Sequence, residues 1–303
     1  MDRKKIRSLL RLPLTELIAR ANRIRRKLAG PEIDLCNIFN AKSGMCPEDC
    51  RFCAQSSRHP TALSTYPLKT KAELIAAATC AKRMGARKFG IVTSGNTLTA
   101  SELRRIVEAV SEIRARVDIQ VCASLGELDV ASLTALKKAG VSRYHHNIET
   151  SRRYFPKIVT THTFQDRVDT IKNAKKVGLE VCSGGIIGMG ESWSDRIDMA
   201  LELKELDVDS VPVNVLVAIK GTPLEDLKAI SAPDAIRTIA IFRIILKEKV
   251  IKIAAGRESV LKDFQSMAFM AGANGMLIGG YLTIRGRAVE DDLQMAEEIK
   301  KAW

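Results

Sequence analysis

Three cysteines fall within eight residues, in the segment CPEDCRFC that runs from Cys46 through Cys50 to Cys53. Thiolates are soft ligands that suit iron or zinc, and the C-x3-C-x2-C spacing lets one loop wrap three corners of a cubane iron–sulfur cluster. A cubane has four irons, so three thiolates leave one iron open to bind a further molecule. A structural zinc knuckle is the competing reading. It asks for four protein ligands, usually from paired elements, whereas the nearby fourth candidate is His59 and no second cysteine pair follows. The other cysteines are Cys36, Cys80, Cys122 and Cys182. An odd total of seven, the crowded spacing and the lack of a secretion signal argue for metal binding rather than disulfides.

The loop follows a β-branched run, Ile33–Phe39. Seven more runs read as strands: Phe89–Val92, Val117–Cys122, Val141–His146, Leu179–Cys182, Ser210–Asn214, Val250–Ala254 and Met276–Ile278. Helical periodicity occupies the intervals at Lys71–Met84, Ala100–Ala115, Asp129–Ala139, Phe164–Val177, Trp193–Leu206, Ala232–Lys247 and Glu258–Met270. Gly85, Gly140 and Gly178 stand at helix ends, where a left-handed residue stops the helix. The alternation predicts an α/β fold, a parallel (βα)8 TIM barrel in a single domain. Amphipathic Thr15–Ala29 is an N-terminal helical extension expected to plug or cap its bottom. The expected boundaries are 1–32 for that cap, 33–285 for the barrel and 286–303 for a C-terminal helix. A doubly wound open sheet is the alternative. In a barrel, chemistry gathers where strands end and helices begin.

The 303 residues are 46% hydrophobic but only 5% aromatic, which predicts an aliphatic core. A net charge of +13 admits a nucleic-acid partner. Basic residues spread along the whole chain, without a nucleic-acid-binding signature, speak against one. An acidic small substrate or an acidic electron-donor protein suits the charge. No apolar stretch approaches the ~18 residues of a membrane span, and the basic N-terminus has no signal-like apolar run. Cytoplasmic residence is expected.

With its position directly after the first strand of a barrel, the three-cysteine loop resembles that of the radical S-adenosylmethionine (SAM) enzymes. Residues 41–56 (AKSGMCPEDCRFCAQS) resemble, more narrowly, the cluster loop of the biotin synthase family. So do 144–151 (YHHNIETS), 181–191 (VCSGGIIGMGE), 209–214 (DSVPVN), 221–225 (GTPLE) and 255–258 (AGRE). These blocks span about residues 33 to 285. The resemblance implies a 4Fe-4S cluster on Cys46, Cys50 and Cys53 whose open iron chelates the methionine end of SAM. One electron then cleaves SAM to methionine and a 5′-deoxyadenosyl radical. The implied reaction inserts sulfur between the methyl and methylene carbons of dethiobiotin. A homodimer and an acidic electron donor such as flavodoxin or ferredoxin are also implied. Another radical SAM maturase or mutase, or a non-catalytic iron–sulfur carrier, are the alternatives.

The resemblance also assigns residues. At the end of the second strand, Ser94 and Gly95, after Thr93, would offer backbone groups to the SAM amino group. Asn147 and Glu149 share one face by alternation; Glu149 would meet the SAM ribose and Asn147 the substrate. Arg167 would contact the SAM carboxylate. The glycines before Ile187 allow close backbone approach to a flat adenine, with Ile187 packed on the ring. Asn214 would read the ureido group of dethiobiotin and Thr283 its carboxylate tail. The family pattern has Asn where this chain has His145, so the roles of His145 and His146 stay open. Each position also has an ordinary reading, such as a turn residue or an exposed helix arginine.

Sulfur insertion needs a sulfur source. The resemblance implies a second cluster, held in the barrel by three strand cysteines and one arginine. Cys122 and Cys182 match two of these positions and Arg257 the arginine, but the third cysteine position is Gly90. Period-two alternation sets Cys36 opposite Ile33 and Leu35, Cys122 opposite Ile119 and Val121, and Cys182 opposite Leu179 and Val181. If the aliphatic faces pack on the helices, all three thiols point into the lumen. The expected auxiliary cluster is therefore bound by Cys36, Cys122, Cys182 and Arg257, as a 2Fe-2S or as a four-iron cluster with an extra sulfide. Buried cysteines as small core residues are the alternative. Cys80, in a helix among alanines, reads as structural.

Overall fold

A computed structural model describes residues 3–282 and 286–303. Nine strand segments, all parallel, form one closed sheet: β1 (Asp34–Lys42), β2 (Lys88–Thr93), β3 (Gln120–Ser124), β4 (Val141–His145), β5 (Glu180–Cys182), β6 (Gly185–Ile187), β7 (Ser210–Val215), β8 (Val250–Ile253) and β9 (Gly275–Leu277). Both β5 and β6 pair with β7, so they are halves of one stave and the barrel has the eight staves that the alternation predicts. The stave breaks at Ser183 and Gly184, where neighbouring backbone closes in. A Cβ on Gly184 would lie 2.0 Å from the Pro212 carbonyl oxygen, and one on Gly185 2.2 Å from that of Glu149.

The helices are α1 (Arg3–Ser8), α2 (Leu14–Leu28), α3 (Lys71–Arg83), α4 (Ala100–Arg116), α5 (Val130–Ala139), α6 (Phe164–Lys176), α7 (Trp193–Glu205), α8 (Ala232–Leu246), α9 (Gln265–Met270) and α10 (Val289–Ala302). Each of α3 to α8 starts on a side-chain cap, Thr70, Thr99, Asp129, Thr163, Ser192 or Ser231, which accepts the N–H of the third helical residue. Such caps satisfy backbone donors that the helix itself leaves unpaired. They also fix where each loop above the barrel ends.

In the N-terminal segment, α2 packs along α8 and α9. It covers the outer face of α8, which is why α8 is buried along most of its length, Arg243 included. Arg25 of α2 lies 3.5 Å over the Trp303 ring and joins the two ends of the chain. The expected helix Glu258–Met270 is broken into a π turn (Arg257–Leu261), a 3-10 turn (Lys262–Phe264) and α9. Gly256, at φ 83°, precedes it without a side-chain cap.

The strands alternate. Phe89, Ile91, Val121, Tyr144, Val181, Val211 and Ile251 join the aliphatic core between sheet and helices. The residues between them face a cavity of about 500 Å³ that fills the upper barrel.

Candidate active site

At the lower end of the lumen lies a charged floor. Asp34 of β1 meets Lys88 at 2.8 Å, Lys252 at 3.1 Å and Arg143 at 3.2 Å, and Arg143 also pairs with Glu180. Burial opposes ionisation of Asp34, but Lys252, Lys88 and Arg143 outweigh it and hold the carboxyl well below its usual range. These salt bridges close the lower end of the lumen.

Above the floor are Cys36, Cys122 and Cys182, all buried and all lining the cavity. The period-two argument therefore places the three thiols correctly. The Nζ of Lys252 donates to the Cys36 Sγ at 2.7 Å. Burial, together with neighbouring Cys36, pushes the Cys122 thiol up to about 12. Burial acts on Cys182 too, but its cross-strand neighbour His145, then Lys252 and Arg143, bring that thiol down to about 6. At Gly90, the register neighbour of Cys122, a Cβ would lie 3.1 Å from the Ile38 side chain. Ile38 thus fills the space in which a third family-position thiol would stand.

Arg257 is not among these groups. Its guanidinium is buried against Asp292 at 2.6 Å and also donates to Gln265, the Leu277 carbonyl and Tyr281. The cations beside the thiols are Lys252 and Arg143. Lys252 has a sequence signal that was passed over: a lysine inside an apolar strand run, in phase with the lumen.

The upper end of the cavity is the loop with Cys46, Cys50 and Cys53, which lines the same space. Cys46 bridges to Ser56, the Cys53 N–H donates to the Cys50 carbonyl at 2.9 Å, and the Gly44 N–H donates to the Gln55 amide oxygen at 2.8 Å. The Ser94 hydroxyl donates to the Gly44 carbonyl at 2.7 Å and ties the loop to the end of β2. His59, the fourth ligand a zinc knuckle would need, sets its Nε2 3.1 Å from the Cys50 carbonyl oxygen instead. Burial pushes the Cys53 thiol up to about 11 and that of Cys50 higher. A bound iron supplies the positive charge that draws such protons off. Donor type, spacing and surroundings therefore fit a cubane with one open corner.

Between the two thiol groups lie the remaining expected residues. Arg167 of α6 donates to the Asn147 carbonyl, to Glu149 at 3.3 Å and to His162 Nε2 at 3.0 Å. A guanidinium only donates, so His162 Nε2 accepts. His162 Nδ1 then carries the proton and donates to Glu48 of the cluster loop at 2.6 Å. Glu149 stands at φ 64°, a left-handed conformation that costs a side-chain-bearing residue energy. The Asn147 amide oxygen accepts the Gly184 N–H at 3.0 Å, and the Asn214 amide spans the Gly185 carbonyl and the Ala255 N–H. Both asparagines line the cavity while fastening neighbouring staves. Ser94 and Gly95 line it as well, but Ile187 is fully buried outside it and Ile186 takes its place in the wall. Counting in twos from Cys182 reaches residues 184 and 186, so the signal for Ile186 was in the sequence. Val215, Leu216, Val217 and Ile219 form an apolar wall that residue chemistry did not reveal. Thr283 lies outside the described residues. His146 is buried beside Tyr144, and Cys80 is exposed on α3, so it is not a core residue.

Residues 42–203 match the Radical SAM superfamily and residues 212–300 the Biotin and Thiamin Synthesis associated domain. A biotin synthase of Thermotoga petrophila is 50% identical over 98% of each chain. One of Clostridium perfringens is 49% identical over 94% of this chain and 89% of its own. Among solved structures, a methylornithine synthase shares the fold at TM-score 0.85 and 21% identity, covering 98% of this chain and 92% of that one. An FeFe-hydrogenase maturase from Carboxydothermus hydrogenoformans shares it at TM-score 0.77 and 18% identity, covering 97% and 76%. With half of its residues identical to a relative along nearly the whole of both chains, the chain belongs to the biotin synthase family of the radical SAM superfamily.

Proposed function

We propose that this chain converts dethiobiotin to biotin, inserting one sulfur between the methyl and methylene carbons beside the ureido ring. The observation that carries the reading is spatial. Cys46, Cys50 and Cys53 above, and Cys36, Cys122 and Cys182 below, line one continuous cavity. A substrate held between them has a radical source on one side and a sulfur source on the other. When bound, the 4Fe-4S cluster supplies the electron that cleaves SAM, and the auxiliary cluster supplies the sulfur.

The chain's own residues position the reactants. Arg167 and Glu149 offer charge to the SAM carboxylate and ribose, the backbone at Ser94 and Gly95 faces its amino group, and Ile186 packs on its adenine. Asn147 and Asn214 present amide groups to the ureido ring, and the aliphatic wall excludes water from a carbon radical. Lys252, rather than Arg257, accompanies the lumen thiols. An acidic donor such as flavodoxin or ferredoxin suits the rim of the cluster loop, where Arg51, Arg58 and Lys157 are exposed beside Met45.

The test is a single-turnover assay with anaerobically reconstituted protein, SAM, dethiobiotin and dithionite. Biotin should form together with 5′-deoxyadenosine, and dethiobiotin should stimulate SAM cleavage. SAM cleavage that ignores dethiobiotin and yields no biotin would defeat the proposal. Cys36→Ala should lower auxiliary iron and sulfide; unchanged content would remove Cys36 from the ligand set.

A further inference from the structure

The lumen thiols number three, and a four-iron cluster has four corners. The other groups facing the lumen at this level differ in what they can offer a metal. Arg143 and Lys252 are cations already joined to Asp34, at 3.2 and 3.1 Å. Both are committed to that buried carboxylate, so neither is offered to a metal. Asp34 is enclosed by three cations, and Gly90 has no side chain. His145 is different: an imidazole carries a nitrogen lone pair and is an established kind of iron ligand. It lines the cavity and is the register neighbour of Cys182 on β4, so its ring stands beside one of the three thiols. It stands, moreover, where the family pattern has Asn, an amide that is a poor ligand for iron.

We infer that His145 is a nitrogen ligand of the auxiliary cluster and completes a three-cysteine, one-histidine donor set with Cys36, Cys122 and Cys182. This rests on the reading that those thiols hold a cluster at all. Two features of the lumen fit it. A neutral imidazole at the fourth corner leaves the cluster one negative charge short of a four-thiolate set, which favours a higher reduction potential. The floor beneath already sets three cations, Lys88, Arg143 and Lys252, against Asp34 and the half-exposed Glu180, so a cluster rich in sulfide would still meet compensating charge. His145 also occupies the lumen level from which Gly90 offers nothing.

The experiment uses the full chain, reconstituted anaerobically with iron and sulfide after growth with 15N-histidine or with unlabelled histidine. Pulsed electron paramagnetic resonance of the reduced auxiliary cluster reads any nitrogen bonded to iron. A directly coordinated nitrogen coupling is expected in the unlabelled protein, and it should convert to the 15N pattern on labelling. In His145→Asn that coupling should be lost while the signal of the cluster on Cys46, Cys50 and Cys53 persists and reports a folded barrel. Auxiliary iron without a histidine nitrogen coupling, or a coupling that survives His145→Asn, overturns the assignment of His145 alone. Iron and sulfide that stay unchanged in Cys36→Ala, Cys122→Ala and Cys182→Ala overturn the auxiliary-cluster reading beneath it.

Discussion

Two buried cations, five positions apart, separate what the sequence offered from what folding selects. Arg257 lies in a segment that resembles the family, yet its side chain points into the packing of Asp292 and Gln265. Lys252 lies in the strand itself, in the lumen phase, 2.7 Å from Cys36. Motif likeness located the segment; only the alternation of β8 tells which of its residues faces inward. The two substitutions should therefore part company. Lys252→Met leaves Asp34 with Lys88 and Arg143, so it should cost about 1–3 kcal/mol in a denaturant titration, the range for one lost buried polar partner. It should also lower auxiliary iron. Arg257→Leu strands the buried carboxylate of Asp292 and should cost about 3–5 kcal/mol, with auxiliary iron per folded chain unchanged. Equal iron loss in both would contradict the separation of the two sites. The same alternation would have chosen Ile186 over Ile187, so this part of the site was legible and misread.

The elements were legible for a physical reason: a buried parallel strand is a short aliphatic run, and each helix after it repeats its apolar face every three to four residues. The break between β5 and β6 was not, because it depends on how closely Pro212 and Glu149 approach Gly184 and Gly185 from neighbouring staves. Gly184→Ala would drive a Cβ against the Pro212 carbonyl, a backbone atom that cannot swing aside. We expect a loss of about 1–3 kcal/mol or more, and weaker dethiobiotin binding, because the Gly184 N–H holds Asn147 in place. Undiminished stability and binding would show that the stave can open there freely. The segment Thr160–Arg167 was also hidden, since its partners are distant in sequence. Thr160 and Thr161 bind Asp49, His162 binds Glu48, Thr163 caps α6, and Arg167 projects from that helix into the cavity. One short stretch thereby fastens the cluster loop to Arg167, the arginine proposed to meet SAM. His162→Leu should raise the SAM dissociation constant about tenfold, equivalent to ~1.4 kcal/mol, while the upper cluster still assembles. Calorimetric titration of SAM into the reconstituted variant measures this, and an unchanged constant would assign His162 to packing alone.

At the scale of the whole molecule, a net charge of +13 becomes informative only where it meets the site. The barrel closes one thiol group off from below with its floor of salt bridges, so electrons have their shortest approach at the opposite end. There Cys46, Cys50 and Cys53 are partly exposed, and Met45 stands 74% exposed beside them. Arg51 and Arg58 belong to that same loop and hold their side chains against carbonyls, Arg51 on that of Lys157 beyond β4 and Arg58 on that of Pro47 in the loop itself. Exposed charges of this kind contribute little to stability, but they steer an oppositely charged partner and speed its encounter at low salt. Turnover driven by an acidic flavodoxin or ferredoxin should therefore fall steeply as salt is raised. The double substitution Arg51→Glu with Arg58→Glu reverses the sign of the rim. It should raise the donor concentration needed for half-maximal rate by about tenfold or more and flatten the salt dependence. Dithionite is small and needs no docked orientation, so dithionite-driven biotin formation should change far less, which separates lost docking from a damaged cluster loop. If both reductants lose activity in parallel, the rim acts on the loop itself. If neither does, the acidic donor approaches by another face.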